Sequence, residues 1–118
     1  MNEELIHLKL IADPFQFSMT ECYDFKIGIV ATNLGNEVIN PELHCVKLFI
    51  NDKESRVWSL AIGNGKREAK WFALPPGDTV SMNWSSMGAS FFPAPGEYTL
   101  ILRLGNKETS PIVVRLLP

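Results

Sequence analysis

The chain has 118 residues, a formal net charge of −2, and a hydrophobic fraction of 46%. This length predicts one domain spanning residues 1–118, and the apolar fraction is enough for a core and too high for a disordered chain. The slightly acidic balance excludes a chain that is basic overall, so we expect neither nucleic acid nor a membrane surface among its partners. No apolar run approaches the roughly 18 residues of a membrane span.

The start of the chain and its two cysteines bear on the cellular compartment. Residues 1–4 are acidic and lack the charged-then-apolar pattern of a signal peptide. We expect a cytoplasmic protein if Met1 is native, and an exported one if Met1 replaced a removed leader. Cys22 and Cys45 lie at opposite ends of two predicted antiparallel strands, roughly 25 Å or more apart. A disulfide needs Cα atoms within about 7 Å, so both cysteines are predicted to be free thiols, one of them buried.

Segments of alternating apolar and polar residues predict strands along the first half of the chain. They are residues 5–12, 25–33 and 43–50. Period-two alternation is typical of a half-buried strand. Pro14 ends the first strand because proline has no N–H to donate to a ladder. Residues 33–36 form a turn cluster, and Asn51-Asp52-Lys53 predicts a hairpin turn.

The second half continues the same rhythm. Strands are predicted over residues 55–61, 68–74, 79–84, 98–104 and 112–117. The first two flank Gly63-Asn64-Gly65, the strongest short turn signal in the chain, because glycine tolerates left-handed backbone. Seven to nine short strands, spaced about ten residues apart without helical periodicity, predict an all-β sandwich.

Residues 74–104 define the fold most clearly. Val80, Met82 and Trp84 alternate with polar residues, which predicts Trp84 in the core. Pro76 favours the second position of a turn, and Gly77 supplies the positive φ that such a turn needs. These residues predict a tight turn followed by a strand with one apolar face.

A second Pro-Gly turn introduces the strand that Tyr98 opens. Gly96 stands two residues before Tyr98, as in the tyrosine corner of Greek-key sandwiches, where the phenol bonds to upstream backbone. The alternative is an ordinary core tyrosine after a hairpin turn.

Several motifs follow one another in order along residues 25–104. They are Thr32-Asn33, Val57-Trp58, Trp71-Phe72, Leu74-Pro75-Pro76-Gly77-Asp78, Trp84 and Pro95-Gly96-Glu97-Tyr98-Thr99. This order resembles the bacterial intracellular proteinase inhibitor family, the BsuPI-type domains. The resemblance implies an immunoglobulin-like Greek-key β-sandwich and, in the inhibitor members, a serine protease as partner. The segment from Gly63 to Lys70 and the Phe91-Phe92 loop have no counterpart in it.

The sequence carries no catalytic or metal-binding signature. His7 and His44 are the only histidines, and no Gly-x-Ser-x-Gly elbow is present. His44 and Cys45 are adjacent, so on a strand they face opposite sides and do not chelate one zinc ion. We therefore expect no enzymatic activity, no metal and no cofactor.

Two surface segments are candidates for partner contact. Lys66, Arg67 and Lys70 with Trp71 form a basic cluster beside an aromatic ring, suited to an acidic partner or a sugar. The alternative is a solvated hairpin tip.

The second candidate is the loop over residues 85–93. It combines Met87, Phe91 and Phe92 with small residues, and such side chains are enriched at interfaces. The alternative is that both phenylalanines cap the open end of the core.

The sequence as a whole predicts a non-enzymatic protein-interaction module. Another protein is the expected partner, a serine protease in the version that the resemblance implies. An inhibitor would present an exposed, extended loop. The alternative function is an accessory or structural immunoglobulin-like domain, from an exported protein or binding carbohydrate. A carbohydrate binder would expose Trp58 or Trp71 as a flat ring beside polar groups.

Overall fold

Two β-sheets pack face to face around one apolar core. The computed structural model describes residues 5–64, 68–85 and 87–118, apart from the side chains of Cys22, Tyr23 and Asn64. Its strands are β1 (Ile6–Asp13), β2 (Gln16–Ser18), β3 (Lys26–Asn33), β4 (Lys47–Ile50), β5 (Lys53–Glu54), β6 (Thr79–Ser85), β7 (Gly96–Leu104), β8 (Lys107–Glu108) and β9 (Ile112–Leu117). The described ranges also contain the helices α1 (Arg56–Asn64) and α2 (Gly88–Phe91), and 3₁₀ turns at Met19–Asp24, Leu43–Cys45 and Ala69–Trp71.

The strand order defines the topology. The first sheet has the order β1-β3-β6, and the second has the order β2-β9-β7-β4-β5, with β8 paired to β7. Neighbouring strands are antiparallel except β2 and β9, which run parallel. The chain passes between the sheets from β1 to β2, from β2 to β3, from β3 to β4, from β5 to β6 and from β6 to β7. The predicted all-β, immunoglobulin-like Greek-key sandwich is confirmed, with nine strands in the described residues.

The alternating apolar residues of both sheets meet in the interior. The first sheet contributes Ile6, Leu8, Leu10, Ile27, Ile29 and Val80, and the second contributes Leu48, Leu100, Leu102, Val114 and Leu116. Successive side chains on a strand point to opposite faces, so this alternation places one apolar face of each sheet against the other.

Strand β6 has the predicted register. Val80 is buried, Met82 and Trp84 are half-buried on the same face, and the polar residues between them are exposed. Trp84 faces the core side as predicted, although its position on an edge strand leaves it half-buried. Gly77 has a φ of 73°, which confirms the turn predicted before β6.

Tyr98 forms the predicted tyrosine corner where the chain crosses from β6 to β7. Its phenol donates a hydrogen bond to the carbonyl oxygen of Ala94, four residues upstream. Its ring packs against Phe92, with 4.7 Å between the ring centroids. The bond fixes the chain at the crossover between the two sheets.

The strand predicted over residues 55–61 is wrong, because this segment forms helix α1. Ser55 caps the helix: its hydroxyl accepts a hydrogen bond from the N–H of Trp58 at 3.2 Å. Trp58 and Ile62 are four residues apart and both are buried, so one helical face provides the inward contacts. The turn predicted at Gly63-Asn64-Gly65 is not a hairpin, because α1 continues to Asn64, and Gly65 lies outside the described residues.

The strand predicted over residues 68–74 is also wrong. The segment forms a 3₁₀ turn at Ala69–Trp71 and ends in a single bridge between Ile39 and Leu74. Trp71 is buried in the core, which anchors the segment by its side chain instead of by a strand ladder.

A fully buried asparagine joins three parts of the chain near that bridge. The Asn33 side-chain amide donates to the carbonyl oxygens of Glu37, at 2.8 Å, and Leu74, at 2.9 Å. Its side-chain oxygen accepts a hydrogen bond from the N–H of Gly35 at 2.8 Å. The end of β3, the turn that follows it and the segment before Gly77 are therefore held together.

The structure bears on the predicted thiol state of one cysteine and on the length of the helices. Cys45 is a free thiol, as predicted, and it is exposed. The side chain of Cys22 lies outside the described residues. Within the described ranges, neither helix has the length and apolar character needed to cross a membrane.

Candidate interaction site

An apolar groove lies between α1, α2 and the end of β6. We call it the α1–α2 groove. It has a volume of about 420 Å³ and is lined by Val57, Leu60, Ala61, Trp84, Met87 and Ser90. Ser90 supplies the polar lining side chain, and the other five are apolar. Among the described residues that line it, the groove therefore offers apolar surface and no acid or base.

Helix α1 presents its outer residues to the groove because its inner face is fixed. The indole N–H of Trp58 donates to the carbonyl oxygen of Val46 at 3.0 Å, and the Trp58 side chain is fully buried. With Trp58 and Ile62 turned inward, Val57 and Ala61 lie along the groove and Leu60 points outward. Leu60 is 64% exposed, and it extends the apolar surface that the groove lining presents.

Trp84 lines the groove from the end of β6. Its ring meets that of Trp58 edge to face, with 5.2 Å between the centroids and 75° between the ring planes. This geometry is favoured for aromatic pairs. The contact ties the end of β6 to α1, so the groove is built on two elements held by a buried ring.

The structure divides the three residues predicted as contacts in the loop over residues 85–93. Met87 is half-buried and lines the α1–α2 groove. Phe91 and Phe92 are buried, so the prediction that they anchor a partner is wrong. Phe92 packs against Phe25 at 5.2 Å and against Tyr98 at 4.7 Å between centroids. The one-turn helix α2 turns both rings inward, and they cap the core.

In the predicted basic cluster, Trp71 does not have the exposure that a contact residue needs. That indole is 1% exposed, which contradicts its predicted role as a contact residue. Lys70 forms an ion pair with Asp78, with 3.0 Å between Nζ and Oδ2. The N–H of Thr79 and the Lys70 ammonium together hold the pKa of Asp78 below its ordinary value. Lys66 and Arg67 lie outside the described residues.

The structure shows a second exposed apolar surface, at the turn after β3, that the sequence analysis did not predict. The turn after β3 exposes Leu34 and Val38, at 60% and 58%. A shallow groove of about 360 Å³ lies beside it, lined by Leu5, Leu34, Gly35, Asn36, Glu37 and Ile39. Asn33 holds this turn from inside. The signal in the sequence was an asparagine at the end of a strand, directly before a turn cluster.

Ionisable groups elsewhere do not form a constellation of catalytic or metal-binding residues in the described ranges. His7 and His44 are exposed. No group of three or more histidine, cysteine, aspartate or glutamate residues in those ranges is placed to hold a metal ion. Hydrogen bonds from the backbone N–H and the hydroxyl of Ser18 lower the pKa of Glu21, which is a local turn interaction.

Comparison with known proteins gives the fold class. No protein-family model and no curated protein sequence matches the chain. One similar solved structure is a β-glucosidase from Listeria innocua in complex with isofagomine, with a TM-score of 0.56 and 10% identity; the match covers 96% of this chain and 16% of the enzyme. The chain thus spans about a sixth of that protein's length, and the likeness concerns the fold alone.

A second similar structure is an isolated domain. It is the CARDB domain of a Pyrococcus furiosus protein in complex with di-metal ions, with a TM-score of 0.52 and 12% identity. The match covers 95% of this chain and 92% of that domain. That domain has an immunoglobulin-like fold, and its likeness places this chain in the same fold class.

Proposed function

We propose that the chain is a non-catalytic accessory domain that binds a partner protein through the α1–α2 groove. The observation that carries the proposal is the apolar lining, in which Leu60 is mostly exposed beside Trp84 and Met87. The occupant we propose is an uncharged polypeptide segment with apolar side chains. Burial of apolar surface contributes about 25 cal/mol per Å², and tryptophan and methionine are enriched in interface cores.

The lining favours a polypeptide over a carbohydrate. A sugar ring stacks on an exposed aromatic face flanked by polar groups that bond to its hydroxyls. The two tryptophans expected to serve that role, Trp58 and Trp71, are buried. Trp84 is half-buried in a lining whose polar side chain is Ser90. These surroundings support an accessory domain that binds a protein over one that binds a carbohydrate.

The test is a binding measurement on a partner first isolated with the 118-residue chain as bait. Leu60→Asp places a charge at the mouth of the groove, at an exposed position where folding tolerates it. Val113→Asp is the matched control, because Val113 is also an exposed apolar residue and lies on β9. We expect calorimetry to show a negative heat-capacity change and at least a tenfold loss of affinity for Leu60→Asp alone. Equal affinities for both variants would contradict the proposal.

Serine-protease inhibition is the more specific version, and one observation favours it. The turn after β3 exposes Leu34 and Val38 while Asn33 fixes its backbone, so a bound protease would not need to order it. We expect inhibition of a chymotrypsin-type or subtilisin-type protease to be lost with Leu34→Asp and kept with Leu60→Asp. Absence of inhibition by the wild-type chain would refute this version and leave the groove proposal standing.

A further inference from the structure

The described strands leave four sheet edges, and three of them carry features that discourage pairing with another strand. Edge strands expose backbone donors and acceptors, and proteins protect them with short length, charge, proline or a covering group. β5 has two residues, Lys53 and Glu54, both charged and exposed. β2 has three residues and follows Pro14. In β1, the Lys107 ammonium donates to the carbonyl oxygen of Ile6, and Lys9 is exposed at the middle of the strand.

The fourth edge, strand β6, is less protected, although the 3₁₀ turn at Ala69–Trp71 packs close to it. It is seven residues long and contains no charged residue and no proline. It is the last strand in the order β1-β3-β6, and among the described residues no other strand lies beside its outer edge. On its core side Met82 and Trp84 remain half-buried. A long, uncharged edge with half-covered apolar side chains is suited to accept another strand.

The residue pattern of β6 is symmetric about Met82. One step away on each side stand the polar residues Ser81 and Asn83, and two steps away stand the apolar residues Val80 and Trp84. A two-fold axis through Met82 would pair Val80 with Trp84 of a second copy, and Ser81 with Asn83 of that copy. Because β6 carries no charge, such an axis brings no like charges together.

We propose that β6 pairs with β6 of a second copy of this chain, antiparallel and centred on Met82. The two three-stranded sheets then form one six-stranded sheet. A register shifted by one residue would set apolar residues opposite polar ones, since side chains alternate with period two. A shift by two would leave residues at the strand ends unpaired, whereas the register centred on Met82 pairs all seven. Such an interface is isologous, with each pair formed twice except Met82 with Met82, which lies on the axis.

The pairing goes beyond the proposed function. It uses the backbone edge of β6, whereas partner binding uses the side chains that line the α1–α2 groove, to which β6 contributes Trp84. Leu60→Asp is therefore expected to leave the oligomeric state unchanged, so the two proposals can fail separately.

Charge placement on the exposed face of β6 tests the register. Positions 81 and 83 are both exposed, and the residue opposite Asn83 on β3 is Gly28, which has no side chain to contact the new lysine. In the proposed dimer, Ser81→Lys with Asn83→Lys sets lysine opposite lysine twice. Ser81→Glu with Asn83→Lys sets glutamate opposite lysine twice.

The measurement is sedimentation equilibrium over a range of concentrations. We expect the wild-type chain to be dimeric and the double-lysine variant to dissociate roughly two- to thirtyfold more readily, from two repulsive cross-strand pairs. The glutamate–lysine variant should dissociate less readily than the wild-type chain. Net charge alone predicts the opposite for the double-lysine variant, because two lysines bring the chain from −2 to 0 and reduce repulsion between copies.

A matched control places the same charge pattern on a protected edge. His7→Lys puts a lysine two residues from Lys9 on β1, and it should leave dimerisation unchanged. Thermal unfolding checks that each variant is folded; if the double-lysine variant does not fold, tighter association of the glutamate–lysine variant decides. The proposal would be overturned by a wild-type chain that is monomeric at every concentration, or by equal dimerisation of the two double variants. This holds even if β6 were then found to pair with another protein.

Discussion

The rings of Trp58 and Trp84 meet edge to face, 5.2 Å apart, one from helix α1 and the other from the edge strand β6. Trp58 is fully buried and also donates its indole N–H to Val46, whereas Trp84 is half-buried. The contact between the two rings therefore links the core to the surface groove. Removal of either ring should affect both the stability of the core and the shape of the groove.

Trp84→Ala should lower the free energy of unfolding by about 2–3 kcal/mol. This is less than the about 3–5 kcal/mol typical of a fully buried aromatic, because Trp84 is half-buried, and it includes the loss of an aromatic pair. Urea unfolding followed by circular dichroism measures the change. Leu60→Ala, in the same groove but exposed, should stay within about 0.5 kcal/mol of the wild-type chain. A loss for Leu60→Ala as large as that for Trp84→Ala would show that the groove is part of the core.

Asn33→Ala should destabilise the fold by about 2–4 kcal/mol. The substitution leaves the carbonyl oxygen of Leu74 buried without this donor, and also removes the bonds to Glu37 and Gly35. Asn36→Ala is the control, because Asn36 is exposed in the same turn. Chemical denaturation compares the two variants. If their stabilities were equal, the hydrogen bonds of Asn33 would not be holding the turn.

Tyr98→Phe should lower stability by about 1 kcal/mol. The ring keeps its contact with Phe92, and only the hydrogen bond to Ala94 is lost. Tyr98→Leu, which also removes the ring contact, should lower stability further. Both can be measured by thermal unfolding. A Tyr98→Phe variant as stable as the wild-type chain would mean that the phenol hydroxyl does not contribute to the corner.

The stability contributed by Asp78 should depend on pH. Its pKa in the folded chain lies below the ordinary 3.8, first because of the N–H of Thr79 and then because of Lys70. The fold therefore favours the carboxylate, and its contribution is complete above the unfolded pKa and is lost as pH falls through the folded one. The stability difference between the wild-type chain and Asp78→Asn should be constant near neutral pH and shrink below about pH 4.

A second variant separates the two causes. Lys70→Met removes the ammonium and leaves the N–H of Thr79 in place, so most of the pH-dependent difference should persist. Acid denaturation curves measured in parallel provide the comparison. If Lys70→Met abolished the difference, the ion pair would be the dominant cause.

Sequence alternation predicted the sandwich because its core follows directly from local spacing. In β1, β3, β6 and β7, period-two patterns identified strands with the correct apolar face, and the Gly96–Tyr98 spacing identified the corner. Helix α1 was missed because the glycines near residue 64 suggested a hairpin. The opposing signals were the Ser55 cap and the four-residue spacing of Trp58 and Ile62, and nine residues are too few for a clear helical period.

The candidate site was harder to predict, since its residues are distant in sequence. Met87 was identified from the composition of its loop, yet Val57 and Leu60 come from a segment interpreted as a strand. The burial of Phe91 and Phe92 depends on α2, a single turn. Two adjacent residues in an extended segment would have pointed in opposite directions, whereas here both rings point inward.

The hydrogen bonds of the Asn33 side chain all reach backbone atoms, those of Gly35, Glu37 and Leu74. The path of the turn is thus specified without reference to the side chains at positions 34, 36, 37 and 38. Gly35 is the exception, because a Cβ there would lie 3.2 Å from Leu5. Shape and sequence are decoupled at this turn, which makes it a natural position for diversified libraries: four neighbouring side chains can be exchanged while the backbone that displays them stays the same.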